Sequence, residues 1–413
     1  MQNQVKGEEF GVGAPVAQIA PRPEGGPGTS YRTQAALQGS MAYVGSNEKV
    51  DIIDTATAKT VDTVRPQNRP LPSASESGAA PLVTSGAGPS AVFWPFLVSV
   101  GGGAPAVELT SIHSDGQKYD HVVVNLPGWV AASGSSSSVA AVGATRSAVV
   151  LDVGDTLGHT VMAVDPTTGK LLWARPNFAA VTVADDVVAG VESNLGTLPT
   201  AQISGVNASN GQPVWTQPRG YGIRLVSAGP ALILVSRQSE SAQSDSSAGT
   251  ELISARTGAP VSRLPITGGD VRCLYDHAGV TVCQSPVDPA AGGRTVVAFD
   301  AQTGHQLWTM PISGTAGTGS GEAPFVTAAW HGHIYATATD AALTPASIPV
   351  VINGRSAEVP LTSPATTTVY RSHSGIADGT IAGSVPVVVD DQACLAIDRE
   401  SMRIVARPRT GHD

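Results

Sequence analysis

Helical periodicity is what this chain most conspicuously lacks. No window of its 413 residues repeats apolar side chains at the spacing of an amphipathic helix, and 46 glycines and 30 prolines interrupt it throughout. That pattern favours many short strands. Charge is scarce as well, at 14% of residues, and no run of Lys or Arg occurs. Together with a formal net charge of −9, this argues against a surface built for nucleic acid or for an anionic membrane. Met1–Phe10 is polar and has no basic segment followed by an apolar one, so no secretory signal is read there. The stretch Ser77–Val107 is free of charge, but it contains Pro81, Pro89, Pro95, Pro105 and Gly101–Gly103. Such a stretch does not sustain a membrane-spanning helix and is expected to form strands with loops.

Cysteine is nearly absent. Of three, Cys273 and Cys283 lie symmetrically about the turn Asp276–Gly279 in VRCLYDHAGVTVCQS. On neighbouring strands of a hairpin they would face each other near enough for a disulfide; the other reading is two small buried thiols. A bridge implies an oxidising compartment and leaves Cys394 as an odd thiol in an apolar strand.

Signatures of catalysis are missing too. There is no G-x-S-x-G nucleophile elbow, and Gly101–Gly103 lacks the Lys-Ser/Thr and the helix that a phosphate-cradling loop requires. His331-Gly332-His333 has a metal-like spacing, yet it falls on an expected tight turn without further Cys or His nearby, which makes polar turn residues the better reading.

What the chain has instead is a repeat. Val161–Trp173, VMAVDPTTGKLLW, is a short apolar strand, an Asp, a turn closing on Thr168-Gly169 and a second strand ending at Trp173. Pro166 presets φ early in the turn, Gly169 accepts positive φ, and the Asp165 carboxylate can accept backbone N–H bonds. Copies follow at VDIIDTATAKTVDTV (Asp54), ISGVNASNGQPVW (Asn207), ELISARTGAPVSRL (Ser254), VVAFDAQTGHQLW (Asp300) and CLAIDRESMRIVA (Asp398). Weaker matches place Asp115-Gly116 and Ser374-Gly375 at turns. In the three best copies the Trp lies eight residues after the Asp or Asn, and Asp165, Asn207, Ser254 and Asp300 are separated by 42, 47 and 46 residues. Two further strand candidates joined by a short turn precede each copy, as in AAVTVADDVVAGV, RLVSAGPALILVS, VRCLYDHAGVTVC and VTAAWHGHIYATA. A period in the forties made of four strands is that of a propeller blade, whose small sheet buries its faces only by stacking on neighbours.

The motifs AVDPTTGKLLW, GVNASNGQPVW and AFDAQTGHQLW resemble the A-x-D-x-x-T-G-x-x-x-W repeat of the PQQ-binding-like β-propellers, the group that includes quinoprotein alcohol dehydrogenases and BamB. The resemblance covers roughly residues 31–409 and implies an all-β fold, a single propeller of four-stranded antiparallel blades, eight in number with seven as the alternative. It assigns Asp165, Gly169, Trp173, Asn207, Gly211, Trp215, Asp300, Gly304 and Trp308 to a structural blade motif, with each Trp packed between blades. Residues 1–30 form an N-terminal tail, 31–409 the propeller and 410–413 a C-terminal tail. Within that N-terminal segment, a strand inside Phe10–Ile19 is expected to complete the last blade and close the ring, removing two sheet edges.

With blade strands numbered from the axis outward, the copies are expected to be third-to-fourth hairpins. First-to-second and third-to-fourth turns share one face of the disc and are tight. The long polar insertions Arg237–Gly249, Gln284–Gly293, Ala341–Thr366 and Ser313–Ala323 all emerge on the other face, and Arg65–Pro89 is expected to join them; Val130–Ser138 is a further insertion. Quinone enzymes of the resembled group hold calcium with acidic and amide side chains and often carry adjacent cysteines, which this chain lacks. The expected function is therefore a non-catalytic, extracytoplasmic scaffold on the cell envelope that binds protein partners through the long-loop face, with no cofactor, no metal, no nucleic acid and no membrane insertion by this chain. The alternatives are a dehydrogenase using PQQ with calcium and a propeller that senses a small ligand or glycan. Scarce Lys beside abundant Arg, Ala, Gly and Val points to a GC-rich source such as an actinobacterium.

Overall fold

Short β-branched runs closed by Gly, Asp and Asn turns become strands throughout. The computed structural model describes residues 17–19, 34–57, 59–71, 81–84, 91–113, 118–128, 130, 137–155, 158–193, 200–237, 249–266, 271–285, 293–313, 325–337, 349–353, 385–389, 393–397 and 402–406. Among these there are thirty-three strands and no helix, and the strands form eight sheets.

Blade 1 runs Gln34–Gln38, Met41–Gly45, Val50–Asp54, Thr60–Val64. In blade 2 the pieces Arg69–Pro70 and Leu82–Thr84 both pair with Ala91–Val100, followed by Ala104–His113 and Tyr119–Asn125. Blades 3 to 6 begin at Ser138–Ala144, Phe178–Ala184, Ile223–Ser227 and Arg272–Tyr275. Blade 7 shows three strands, Phe325–Trp330, His333–Thr337 and Pro349–Asn353. In blade 8, Val385–Val389, Ala393–Ile397 and Met402–Ala406 are completed by Ala17–Ile19, which pairs with the last of them. The inner strands touch in a closed cycle, from Gln34–Gln38 through Leu82–Thr84 and each following blade to Val385–Val389 and back to Gln34–Gln38. The molecule is a β-propeller whose outermost strand in the last blade comes from the N-terminal side, and that pairing leaves no seam in the ring.

Three readings change. CLAIDRESMRIVA is the second-to-third hairpin of blade 8, because Val385–Val389 lies beside the inner strands of blades 7 and 1 and the outer place is taken by Ala17–Ile19. The turn itself, with Asp398, lies outside the described residues. The insertion Ala341–Thr366 contains a strand, Pro349–Asn353, paired with His333–Thr337; its run PVVIN is apolar and β-branched, a strand signal inside polar flanks. Arg65–Pro89 likewise supplies the two inner-strand pieces of blade 2. Asp115-Gly116 and Ser374-Gly375 are outside the described residues. Ser77–Val107, the uncharged stretch, contributes Leu82–Thr84, Ala91–Val100 and part of Ala104–His113 as strands.

The apolar core lies between blades. One cluster joins Val150 and Val161 of blade 3 to Phe178, Val188 and Val206 of blade 4; another joins Ile203 of blade 4 to Ile233, Val235 and Ile253 of blade 5. Trp173, Trp215 and Trp308 each sit in or against such a cluster. The repeat residues explain why. Asp165 Oδ1 accepts the N–H groups of Thr167 and Thr168, which hold the carboxyl below the usual carboxylate range, Thr167 most strongly. Asn207 and Asp300 cap their turns in the same way, and in the Ser254 copy the hydroxyl substitutes. The turn glycines Gly169, Gly211, Gly258 and Gly304 all have φ between 68° and 71°.

The residue after the capping side chain is a node. Thr55, Ala208, Ala255 and Ala301, all buried, donate their N–H to the carbonyls of Ser40, Asp186, Ala231 and Gly279 in the first-to-second turn of the same blade. The carbonyls of Ala208 and Ala255 accept the indole N–H of the preceding blade's Trp173 and Trp215, at 2.8 and 3.2 Å. Ser262 occupies the Trp position of blade 5, and its hydroxyl donates to the Gly304 carbonyl instead. A Cβ on Gly211 would stand 2.9 Å from the Trp173 ring, and one on Gly258 2.5 Å from the Trp215 ring. Glycine is therefore required twice at these turns, for positive φ and for the approach of the neighbouring indole.

Polar staples add to the packing where inner strands bulge. At the bulges of blades 4 and 7, Asp152 accepts the Ala180 N–H and Gln284 accepts the Val326 N–H from the next blade. In blade 2 the fully buried Glu108 accepts the N–H groups of Gln67 and Asn68 and the Asn68 amide, and lies 2.9 Å from His121 Nδ1. Burial raises its pKa, but hydrogen bonds from His121, Gln67 and Asn68 outweigh that and bring it down to about 2.

Two predictions follow from this packing. Gly211→Ala, strained at φ 71° and against Trp173, should cost about 2–3 kcal/mol in urea unfolding, whereas Gly39→Ala, at φ 58° with open space around it, should cost about 1 kcal/mol; equal losses would refute the Trp contact as the cause. Because the Glu108 pKa is lowered from 4.5 to about 2, its stabilisation is fully present above pH 4.5 and is lost as pH falls towards 2. Glu108→Gln should cost on the order of 2–3 kcal/mol at pH 7, with the difference from the parent shrinking across that acid window.

Candidate functional site

The residues singled out by the repeat are used up by the fold. Asp165, Asn207 and Asp300 cap turns, Gly169, Gly211 and Gly304 supply positive φ, Trp173 and Trp215 bond across blades, and Trp308 lies in the cluster shared with Val326 and Ile334 of blade 7. Among the described residues no group of three or more His, Cys, Asp or Glu is placed to hold a metal ion.

The structure draws together a different set, at the first-to-second turns of blades 6 and 7. The hairpin of Arg272–Tyr275 with Val280–Gln284 pairs Cys273 with Cys283 directly, and the two form a disulfide with Cα atoms 4.1 Å apart. Cys283 is fully buried and Cys273 partly so, against the core shared by blades 5 and 6. At the turn, Asp276 is buried; its Oδ1 accepts the N–H groups of Ala278 and Val280, and its Oδ2 accepts the N–H of Gly332 in blade 7. Its carbonyl accepts the His331 N–H at 2.6 Å. One Asp thus closes its own turn and fastens the next blade's turn to it.

On this frame four rings make a continuous row. Tyr275 and His277 have centroids 5.1 Å apart, His277 and Trp330 5.0 Å apart, and Trp330 and His331 stack at 4.4 Å with 14° between planes. His277 and His331 are exposed, while Tyr275 and Trp330 are half-buried. Both histidines take left-handed backbone, φ 60° and 40°. Desolvation by the flanking rings lowers the His277 pKa, the nearby His331 lowers it further, and the Asp276 carboxylate opposes both. Burial raises the Tyr275 hydroxyl, helped by the carboxylates of Asp276 and Asp300. The row is a polar-edged aromatic surface.

The sequence located both turns, and His331-Gly332 is the tight turn it indicated. It did not show that the two turns meet. The available signal was the sequence D-H-A-G in one blade opposite W-H-G-H in the next, two histidines at turn positions that glycine or asparagine usually fill. The row also lies on the face of the disc that carries the tight first-to-second turns.

Residues 199–344 match the family model of the outer membrane protein assembly factor BamB. Among solved structures, the computationally designed Ika8 protein superposes with a TM-score of 0.55 at 14% identity, covering 95% of this chain and 100% of that one. The Dos1 propeller superposes at 0.51 with 9% identity, covering 95% and 94%. BamB from Moraxella catarrhalis gives 0.48 at 14% identity, covering 97% and 98%. At such identities the likenesses to Ika8 and to the Dos1 propeller establish the fold alone. No curated protein matches.

Denatured without reductant, the chain should show one thiol reactive with Ellman's reagent, Cys394, and three after reduction; three before reduction would remove the Cys273–Cys283 bridge.

Proposed function

We propose that this β-propeller belongs to the PQQ-like group and acts as a non-catalytic scaffold that binds protein partners through its long-loop face, outside the cytoplasm. The observation that carries this reading is the asymmetry of the disc. The connections after Arg237, Gln284 and Thr337 leave second strands, and the one after Ser313 leaves a fourth strand, so all four open on the same face. Among the described residues, the first-to-second and third-to-fourth turns on the opposite face are short, two to six residues each, and several have backbone carbonyls bonded within the fold. Long polar segments on one side of a rigid frame are the usual location of recognition.

Two observations support the remaining parts of the reading. The Cys273–Cys283 disulfide is a bond kept by oxidising compartments. The matched family model carries the description of an assembly factor, which is a role in association and not a reaction. Among the described residues no helix is long and apolar enough to cross a membrane, so attachment to an envelope would use a partner or a segment elsewhere. A dehydrogenase using PQQ with calcium is the competing reading; the repeat carboxylates it could draw on, Asp165 and Asp300, are engaged in capping their own turns.

A photoreactive amino acid at Ser244, in the insertion after Arg237, should give a discrete protein adduct in the native cell, while the same group at Thr303, on the tight-turn face, should give none. Equal labelling from both positions would contradict the face assignment. Reconstitution with quinone and calcium should give no dye reduction with alcohols or aldoses; turnover would overturn the scaffold reading.

A further inference from the structure

We propose that the row Tyr275, His277, Trp330 and His331 is a binding platform for a neutral carbohydrate chain, on the face of the disc opposite the long loops. The inference is independent of the scaffold reading and begins with the backbone. His277 and His331 hold φ values of 60° and 40°, a region that costs a residue with a Cβ roughly 1 kcal/mol and that glycine enters freely. The first-to-second turns of blades 1 and 5 use glycine there, Gly39 and Gly229, and that of blade 4 uses Asp185, whose short side chain enters the region more readily than an imidazole. Two neighbouring turns that keep imidazole at such positions, with the rings exposed, point to a use for the rings and not for the backbone.

The second observation is rigidity. The Asp276 carboxylate and carbonyl bind both turns together, and the Cys273–Cys283 disulfide closes the hairpin just below. The rings are therefore held in place before any ligand arrives, which lowers the ordering cost of binding. The third is chemistry. The Tyr275–His277 and His277–Trp330 contacts are tilted at 45° and 42°, and within the row only Trp330 and His331 stack. With His277 and His331 exposed and Tyr275 and Trp330 half-buried, the row suits a ligand with flat C–H surfaces and polar rims that meets the remaining ring surface and its polar edges. Pyranose rings have both features, C–H groups on their faces and hydroxyls on their rims. A polyanion would meet an acidic chain of net charge −9 and an imidazole whose charged form is disfavoured. Proline-rich peptides also stack on aromatic rows, but they present few edge hydroxyls, and the two imidazoles at the exposed positions favour the sugar.

The test uses the full disulfide-bonded chain and three neutral probes: chitotetraose, cellotetraose and maltotetraose. Saturation-transfer NMR and tryptophan emission should detect binding of at least one, with Kd of about 1 mM or tighter and transfer concentrated on sugar C–H protons. His277→Gly and His331→Gly relieve the backbone while removing the rings, so each should leave the melting temperature within about 2 °C of the parent and weaken binding at least tenfold. The proposal is overturned if none of the three probes binds, if binding survives in both glycine variants, if either variant loses more than about 5 °C because the ring is structural, or if a proline-rich decapeptide binds the row while the sugars do not.

Discussion

The structure depends on each blade gripping the next, most plainly where the indoles of Trp173 and Trp215 reach the backbone of the following blade. A blade of four short strands buries neither face alone, so the disc exists only because neighbouring blades grip each other. Trp173 and Trp215 provide that grip twice over, with apolar area against the next sheet and an N–H bond to the carbonyls of Ala208 and Ala255. Those alanines are anchored in turn to the inner turn of their own blade at Asp186 and Ala231. A small residue at one position thus couples the outer edge of one blade to the inner edge of the next. Where the pattern departs, chemistry of the same kind replaces it. Ser262 takes the place of Trp and bonds Gly304, while Pro166 has no N–H to give, so blade 3 lacks the strut that Thr55, Ala208, Ala255 and Ala301 supply elsewhere.

This network accounts for the motif without reference to chemistry on a substrate. Asp or Asn caps the turn, Gly allows both the turn and the approach of the neighbouring ring, and Trp fills the gap. A residue tied to three such obligations has little freedom to evolve a ligand contact. Variation collects where the obligations are absent, in the connections after Arg237, Gln284 and Ser313 and in the inner turns of blades 6 and 7.

Much of the fold was legible because it repeats. A hairpin signal of modest strength, recurring at related spacing, indicates strand order and turn direction in the copies at Asp54, Asp165, Asn207, Ser254 and Asp300, and the N-terminal strand was inferable from the physical cost of an open ring. What stayed hidden was position across the repeat. CLAIDRESMRIVA resembles a third-to-fourth hairpin in sequence, but a hairpin carries no mark of its distance from the axis; only the neighbours of Val385–Val389 show that it starts one strand further in. PVVIN was lost for a related reason, since five apolar residues inside a long polar segment repeat nothing. The candidate site was less legible still. Cys273 and Cys283 were visible as a pair because they share a hairpin, whereas His277 and Trp330 belong to different blades, and no spacing rule relates them.

The two faces of the disc therefore combine precision and variability differently. On the loop face a partner would meet long segments whose composition suits adaptable polar contact. On the turn face, at blades 6 and 7, a ligand would meet rings whose positions are set by a buried carboxylate, a disulfide and two strained backbones. Strain of that kind persists only where the surroundings over-determine it, and here they do, because the Asp276 carboxylate and carbonyl accept from both turns at once. Removing the carboxylate would release the Gly332 N–H and the turn N–H groups together, so the two blades would lose their alignment before either lost its fold. The physical unit at this face is thus the pair of blades, which is why no single repeat, read alone, contains it.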